Sequence, residues 1–361
     1  AILGMLGDSK MKSVLPAITK LFKSKDAEVK AAAIDAAGKL GGEEILPGLL
    51  KTMSKGTAAD IEATSGTISR MNGAGIPATV AAFIPKAKPE VQVALINVLA
   101  ARAANAQLST ITTQLKSKNP EVKKAAFSAL KETVTSENLP QLFTLLNETT
   151  DQGELVKVQD AIIAAIKGTK NNSQQVDMVL QQMASSSGDK KDLYYKILAS
   201  LGGNKSLKAV SEAFATGNET TKKAAIAALS SWSNAGAKDE LIKIARQSAN
   251  AAYLNQAVDG YLRLVRASKY QPEQRLLLLR EAMAVAKTPA QQKQILKDME
   301  SAKCLNSLLF AGRYLDNSAL QQAAANTVMN IALADKSYNG DIVKGLINKT
   351  ISTIKGADSE Y

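Results

Sequence analysis

Histidine is absent from all 361 residues, and that absence narrows the chemistry more than any residue present. It removes the side chain that most often serves as general base near neutral pH and as metal ligand. A single cysteine, Cys304, makes no intrachain disulfide and, without histidine, cannot complete a zinc site. Nucleophile-plus-base arrangements of the Ser/His/Asp or Cys/His type are therefore excluded within this chain, and neither metal nor cofactor is expected. Aromatic residues make up only 4%, with Trp232 the one tryptophan. No run of 18 apolar residues offers a membrane span, and no basic start followed by a hydrophobic stretch marks a signal peptide. Cys304 lies in the apolar stretch KCLNSLLF, where a buried, inert thiol is expected.

What is abundant is alanine and lysine. Apolar residues reach 45%, much of it alanine, a composition that favours closely packed helices over a core of large side chains. The net charge of +12 rests on 37 Lys and 8 Arg. It reads first as a solvated lysine surface and second as an attraction to polyanions. Readers of nucleic acid more often use Arg, whose planar fork matches phosphate and guanine edges.

The organisation is a tandem array. LPAITKLF, LPGLLKTM, IPATVAAF, LSTITTQL and LPQLFTLL place Pro16, Pro47, Pro77, Ser109 and Pro140 at equivalent positions, with steps of 31, 30, 32 and 31 residues. Proline suits the first turn of a helix, and Leu15, Ile18, Leu21 and Phe22 follow at helical spacing. A second helix begins at Asp26, at Pro89, or at Asn119 with Pro120, and places Val29, Ala33, Ala36 and Leu40 on one face. The glycine pairs Gly41–Gly42 and Gly202–Gly203 are expected to end helices in the left-handed region. Later units keep the pattern around Asp177, Lys208, Asp239, Pro272, Asn306 and Asp341, which brings the count of first helices to eleven. The segment DQGELVKVQD near Asp151 and the polar NNSQQ near Asn171 read as longer turns. The opening AILGMLGDSK reads as the end of a second helix and the close GADSEY as a polar tail. Residues 1–361 are thus expected to form one array that is a fragment of a longer protein.

These residues resemble the HEAT family, and within it short bacterial repeats of about 30 residues. The L-P-x-L/I start of helix one and the D/N/K-x-E-V-K/Q start of helix two, at Asp26–Lys30 and Asn119–Lys123, carry the resemblance. It implies an all-α, right-handed α-α superhelical solenoid, armadillo-like, of about eleven helix pairs. HEAT units commonly carry Arg where this chain has Lys30, Gln92 and Lys123, which leaves the Asp-to-Arg ladder of many HEAT arrays without its usual cation. The units also look like repeat segments of bacterial envelope proteins that carry a jelly-roll domain of the 3-keto-disaccharide hydrolase type. That likeness implies a periplasmic or envelope setting, with any chemistry in a domain outside this fragment. Ankyrin repeats are discarded for want of histidine, and tetratricopeptide repeats for want of tryptophan in the first helix.

Paired acids such as Glu43–Glu44 and Asp239–Glu240 point in different directions at helix starts and read as solvated. SLGGNKSL and KLGGEE lack the preceding strand of a phosphate loop and read as helix ends. One stretch, from Tyr253 to Met283, gathers Tyr253, Tyr261, Arg263, Arg266, Tyr270, Arg275 and Arg280, residue types enriched where proteins bind proteins. These seven are the candidate partner-binding residues. The competing reading makes Tyr261 core and pairs the arginines with Asp259, Glu273 and Glu281 at helical spacing. If the patch serves a partner, replacing its arginines leaves thermal stability nearly unchanged. The expected function is a noncatalytic scaffold or protein-interaction module that presents a curved helical surface to a protein partner or attached domain. The alternative is polyanion or nucleic-acid binding, as in HEAT-like DNA glycosylases, which would call for an acid flanked by aromatic residues.

Overall fold

The computed structural model describes residues 2–9, 11–169, 172–335 and 337–354. The polar close from Gly356 to Tyr361, and Asn171 of the polar run, lie outside them. The chain divides into two compact units, Ala1–Asn171 and Asn172–Tyr361. In the first unit the helices are α1 (Ile2–Asp8), α2 (Leu15–Lys20), α3 (Ala27–Leu40), α4 (Leu46–Lys55), α5 (Ala58–Arg70) and α6 (Ile76–Phe83). They continue as α7 (Pro89–Ala101), α8 (Leu108–Gln114), α9 (Pro120–Thr133), α10 (Leu139–Glu148) and α11 (Gln152–Lys167). The second unit holds α12 (Asn172–Ser185), α13 (Tyr195–Leu201), α14 (Asn204–Thr216), α15 (Glu219–Ser230), α16 (Lys238–Gln247) and α17 (Ala251–Ala267). It ends with α18 (Pro272–Val285), α19 (Pro289–Met299), α20 (Leu305–Gly312), α21 (Gln321–Ala334) and α22 (Asp341–Thr353). No strand occurs among the described residues.

Even-numbered helices from α2 to α22 are the first helices, and each contains or starts on one of the eleven sequence anchors. The expected all-α array of helix pairs is what the chain forms. Pro16, Pro47, Pro77 and Pro140 each occupy the first turn, where a missing N–H costs no helical bond. Most second helices begin on a side-chain cap, α7, α13 and α21 excepted. Asp26 accepts from the N–H groups of Glu28 and Val29, and Asn119 from those of Glu121 and Val122. Thr57 and Asp60 cap α5 reciprocally. The segment at Asp151 differs from the expected longer turn: Asp151 caps α11, and Gln152 onward is helix. Its carboxylate accepts from the Glu154 N–H at 2.9 Å, which makes helix the better-satisfied state.

Within each unit the core lies between a second helix, its own first helix and the next second helix. α3 packs on α5 as α1 packs on α3, and α15 packs on α17 in the same way. Small residues set the approach. Ala33, Ala36 and Ala37 are buried, and a Cβ added at Gly260 would stand 2.7 Å from the Ser230 Cα. Of the two expected left-handed pairs, only Gly202 and Gly203 have positive φ, +71° and +82°. They form the turn from α13 to α14. Gly41 is extended at φ −95°, so Gly41–Gly42 ends α3 without a left-handed residue. A Cβ at Gly41 would fall 2.9 Å from Ile45, so lack of a side chain, rather than backbone freedom, is what the position uses.

Candidate interaction surfaces

Helix ends carry polar groups that stacking repeats can satisfy, and the array uses both ends of its second helices. At the N-terminal end, Lys30 of α3 reaches Asp60 of α5 at 3.1 Å, and Lys123 of α9 pairs with Glu154 of α11. The ladder expected to lack its cation is thus present in part, with lysine in place of arginine. Asp60 feels burial, which would raise its pKa. The Thr57 N–H and hydroxyl and the Lys30 ammonium together outweigh it and hold the carboxyl below its usual value. Gln92, at the same register, instead donates to the Ile84 carbonyl at 3.0 Å.

At the C-terminal end, arginine from one repeat closes the preceding second helix. Arg102 donates to the carbonyls of Ile68, Ser69 and Met71 at 2.9, 3.2 and 2.7 Å, and to Gly73 at 3.2 Å. Arg263 does the same for α15, donating to Ser230 at 2.8 Å and Trp232 at 2.7 Å. Carbonyls at a helix C-terminus carry partial negative charge and no intrahelical donor, so a forked cation suits them.

These bonds decide where the seven candidate residues sit. Tyr261 is fully buried and donates to Glu281 at 2.8 Å; burial and that carboxylate push its phenol well up. Tyr253 donates to Glu219, whose carboxylate, with burial, raises the phenol to about 12. Arg266 pairs with Asp298 at 3.1 Å, and Arg275 bonds Ser301 and the Ser268 carbonyl at 2.9 and 3.0 Å. Tyr270 is half-buried, and Arg280 is exposed with its guanidinium 5.2 Å from the Phe310 ring centre. The strip is therefore divided between residues held in inter-helix bonds and two, Tyr270 and Arg280, that are not. Pairing of these arginines with Asp259 and Glu281 at helical spacing does not occur. Gln291 takes Asp259 at 2.7 Å, and Glu281 takes Arg246 and Tyr261. These bonds set a different expectation for Arg263 from the one that treats the four arginines of the strip together as dispensable, because its loss strips donors from α15.

What sequence reasoning missed is the surface between consecutive first helices. A groove of about 1090 Å³ lies between α2 and α4, with Phe22 and Ile45 at its floor and Lys12, Lys23, Lys51 and Lys55 around it. The equivalent groove between α14 and α16 is about 900 Å³, floored by Leu207, Phe214, Ile244 and Tyr253. A smaller one, about 320 Å³, separates α18 from α20 and includes Arg280, Phe310 and Arg313. Aligning the units at their anchors would have flagged that all three fall at one register. Among the described residues no group of His, Cys, Asp or Glu could hold a metal, and no helix is long and apolar enough to cross a membrane. Cys304 is buried, its sulfur 3.2 Å from the Ser307 hydroxyl.

A stack of helix pairs joined at both helix ends and grooved between first helices defines an α-helical repeat protein. A family model for HEAT repeats matches residues 1–65. Among solved structures, the karyopherin Kap121p bound to the extreme C-terminus of the protein phosphatase Cdc14p superposes with a TM-score of 0.51 at 12% identity. That match covers 89% of this chain and 42% of the karyopherin. Kap121p alone gives 0.45 at 13% identity over 94% of this chain and 42% of that one. Human deoxyhypusine hydroxylase in complex with glycerol gives 0.32 at 11% identity, covering 91% and 99%. The chain spans about two-fifths of the length of the karyopherin chains. No curated protein matches the sequence. The HEAT match and the karyopherin superposition support a HEAT-like repeat protein; at 12% identity the superposition speaks to fold alone.

Proposed function

We propose that this chain is a noncatalytic scaffold that holds a protein partner along the grooves between consecutive first helices. The observation that carries the reading is the recurrence of these grooves at one register in both units, each with an apolar floor and a charged rim. Many shallow contacts of that kind suit an extended protein segment better than a small molecule. Kap121p, similar in fold, is bound to a protein terminus, which agrees with this reading. Immobilised 1–361 should retain specific protein from a nuclease-treated native extract, and recovery of no protein above a resin control would sink the proposal. Of the seven strip residues, Arg280 and half-buried Tyr270 are the ones without an inter-helix bond and so free to take part in such capture.

A second reading, polyanion binding, draws on the net charge of +12 and the lysines around the α2–α4 groove. Mobility shifts of a DNA duplex across a salt series test it, because displacing about six counterions makes affinity fall by orders of magnitude. From the resemblance to envelope-protein repeats we further propose that the scaffold works in the bacterial periplasm or cell envelope beside a jelly-roll domain. The complete reading frame around residues 1–361 tests that placement.

A further inference from the structure

Six of the eight arginines spend their donors inside the protein. Arg70, Arg246 and Arg266 meet Asp35, Glu281 and Asp298, while Arg102, Arg263 and Arg275 meet backbone carbonyls. Arg280 of α18 and Arg313, one residue past α20, differ. Both are exposed, and both guanidinium groups lie over the same ring, Phe310, at 5.2 and 5.4 Å from its centre. Among the described residues neither has a salt bridge within 4 Å.

A cation held over an aromatic face is positioned by the ring quadrupole, and its N–H donors stay available. Phe310 is itself fixed, packing on buried Leu276, Ala302 and Cys304 and meeting Tyr314 edge-on at 5.6 Å. Burial raises the Tyr314 phenol despite the two nearby guanidiniums, so it stays protonated and can donate as well. Leu277, 63% exposed, borders the same groove, and Glu273 is its only acid. The groove thus offers two preorganised forks and an apolar shelf, with little negative charge to oppose an acidic ligand.

We infer that the α18–α20 groove docks an acidic segment of a protein partner, with two carboxylates on Arg280 and Arg313 and an adjoining apolar side chain on Leu277. Nucleic acid is disfavoured because the Phe310 ring is already engaged by both guanidinium groups instead of standing free as a platform for base stacking. The inference rests on the scaffold reading and names one of its grooves.

The test is fluorescence anisotropy of 1–361 with a labelled ten-residue peptide of alternating Glu and Leu. A matched Gln/Leu peptide and a dT20 oligonucleotide serve as comparison ligands. Arg280→Ala and Arg313→Ala should each weaken the Glu peptide about tenfold, with unchanged melting temperature. Arg280→Lys and Phe310→Leu should each cost several-fold, through loss of the fork and of its platform. Lys51→Ala with Lys55→Ala, in the α2–α4 groove, should leave affinity unchanged. The inference is overturned if the wild type does not bind the Glu peptide, if the Arg double variant binds it within twofold of wild type, or if the Gln peptide binds equally. Tighter binding of dT20 that is lost on the same substitutions would overturn it in favour of nucleic acid. Retained capture of extract protein by the Arg double variant would remove this groove while leaving the scaffold reading standing.

Discussion

Lys30 Nζ lies 3.1 Å from Asp60 Oδ2, joining the first turns of α3 and α5 across thirty residues of sequence. The same carboxylate accepts from the Thr57 N–H at 2.9 Å, so one side chain caps its own helix and fastens the preceding one. Both partners are largely shielded, with side chains 20% and 8% exposed. Coupling a cap to an inter-repeat bond makes folding of one pair depend on the next, as expected where stability is a sum of nearest-neighbour contacts.

Asp60→Ala should destabilise the chain by about 2 kcal/mol in urea unfolding, combining a lost cap with an unpaired Lys30. Asp60→Asn, which keeps an acceptor for the cap, should cost less. The folded carboxyl sits below its ordinary 3.8. Its stabilising contribution is therefore complete above that value and is lost as pH falls through the lowered folded pKa. The wild-type advantage over Asp60→Asn should shrink in that acid range, and an advantage unchanged between pH 6 and pH 2.5 would contradict the pairing.

The arginines separate into structural and free ones. Arg102→Ala and Arg263→Ala should each cost about 1–3 kcal/mol, because carbonyls of α5 and α15 lose their donors. A lysine at either position should recover only part, since one ammonium cannot span the same acceptors. Arg280→Ala should leave the melting temperature unchanged. Equal thermal shifts for Arg263→Ala and Arg280→Ala would refute this division.

Gly260→Ala probes a close contact between α17 and α15. Its new Cβ would stand 2.7 Å from the Ser230 Cα and 2.8 Å from its Cβ, neither of which can swing away. Displacing α15 should destabilise by about 1–3 kcal/mol despite the gain in helix propensity. Gly66→Ala in α5 meets only the end of Arg70, at 3.6 Å, and should be neutral or stabilising. Calorimetric scans of the two variants should move in opposite directions or differ by several degrees.

Alkaline titration should be delayed for five tyrosines, Tyr314 and Tyr338 among them and Tyr195, Tyr253 and Tyr261 the most. Burial and Asp192 raise Tyr195 to about 12, Glu219 and burial raise Tyr253 to about 12, and burial with Glu281 raises Tyr261 further. An acid whose folded pKa is raised stabilises fully below its unfolded value, here 10.0, and the contribution disappears as pH climbs through the folded value. Stability should therefore decline between about pH 10 and pH 12. Phenolate absorbance from these residues should therefore appear above the ordinary value of 10.0 while the chain is still folded, and full ionisation of all tyrosines near pH 10 in folded protein would contradict these environments.

Much of the architecture was legible because its signals are local. Pro47 in a first turn, Asn119 accepting from two N–H groups and the apolar spacing of the first helices act within four residues, and they gave all eleven first helices. Asp151 was misread because its segment is polar, although Asp-x-x-Glu is also a helix start. Tyr261 and Arg263 were less legible as site residues. Composition marked them as interface types, yet their partners, Glu281 and the Ser230 carbonyl, lie twenty and thirty-three residues away. Neither partner is visible in a helical window.

The sequence alone determined the repeat, the starts of the first helices and the absence of histidine chemistry, because each depends on residue type and short spacing. Tertiary structure decided which polar residues are consumed and which remain free. Arg263 and Arg280 are alike in type, stand seventeen residues apart, and differ in role. Stacking brings uncovered carbonyls to the first and only an aromatic ring to the second, a distinction that lateral packing of helices creates and linear spacing does not record.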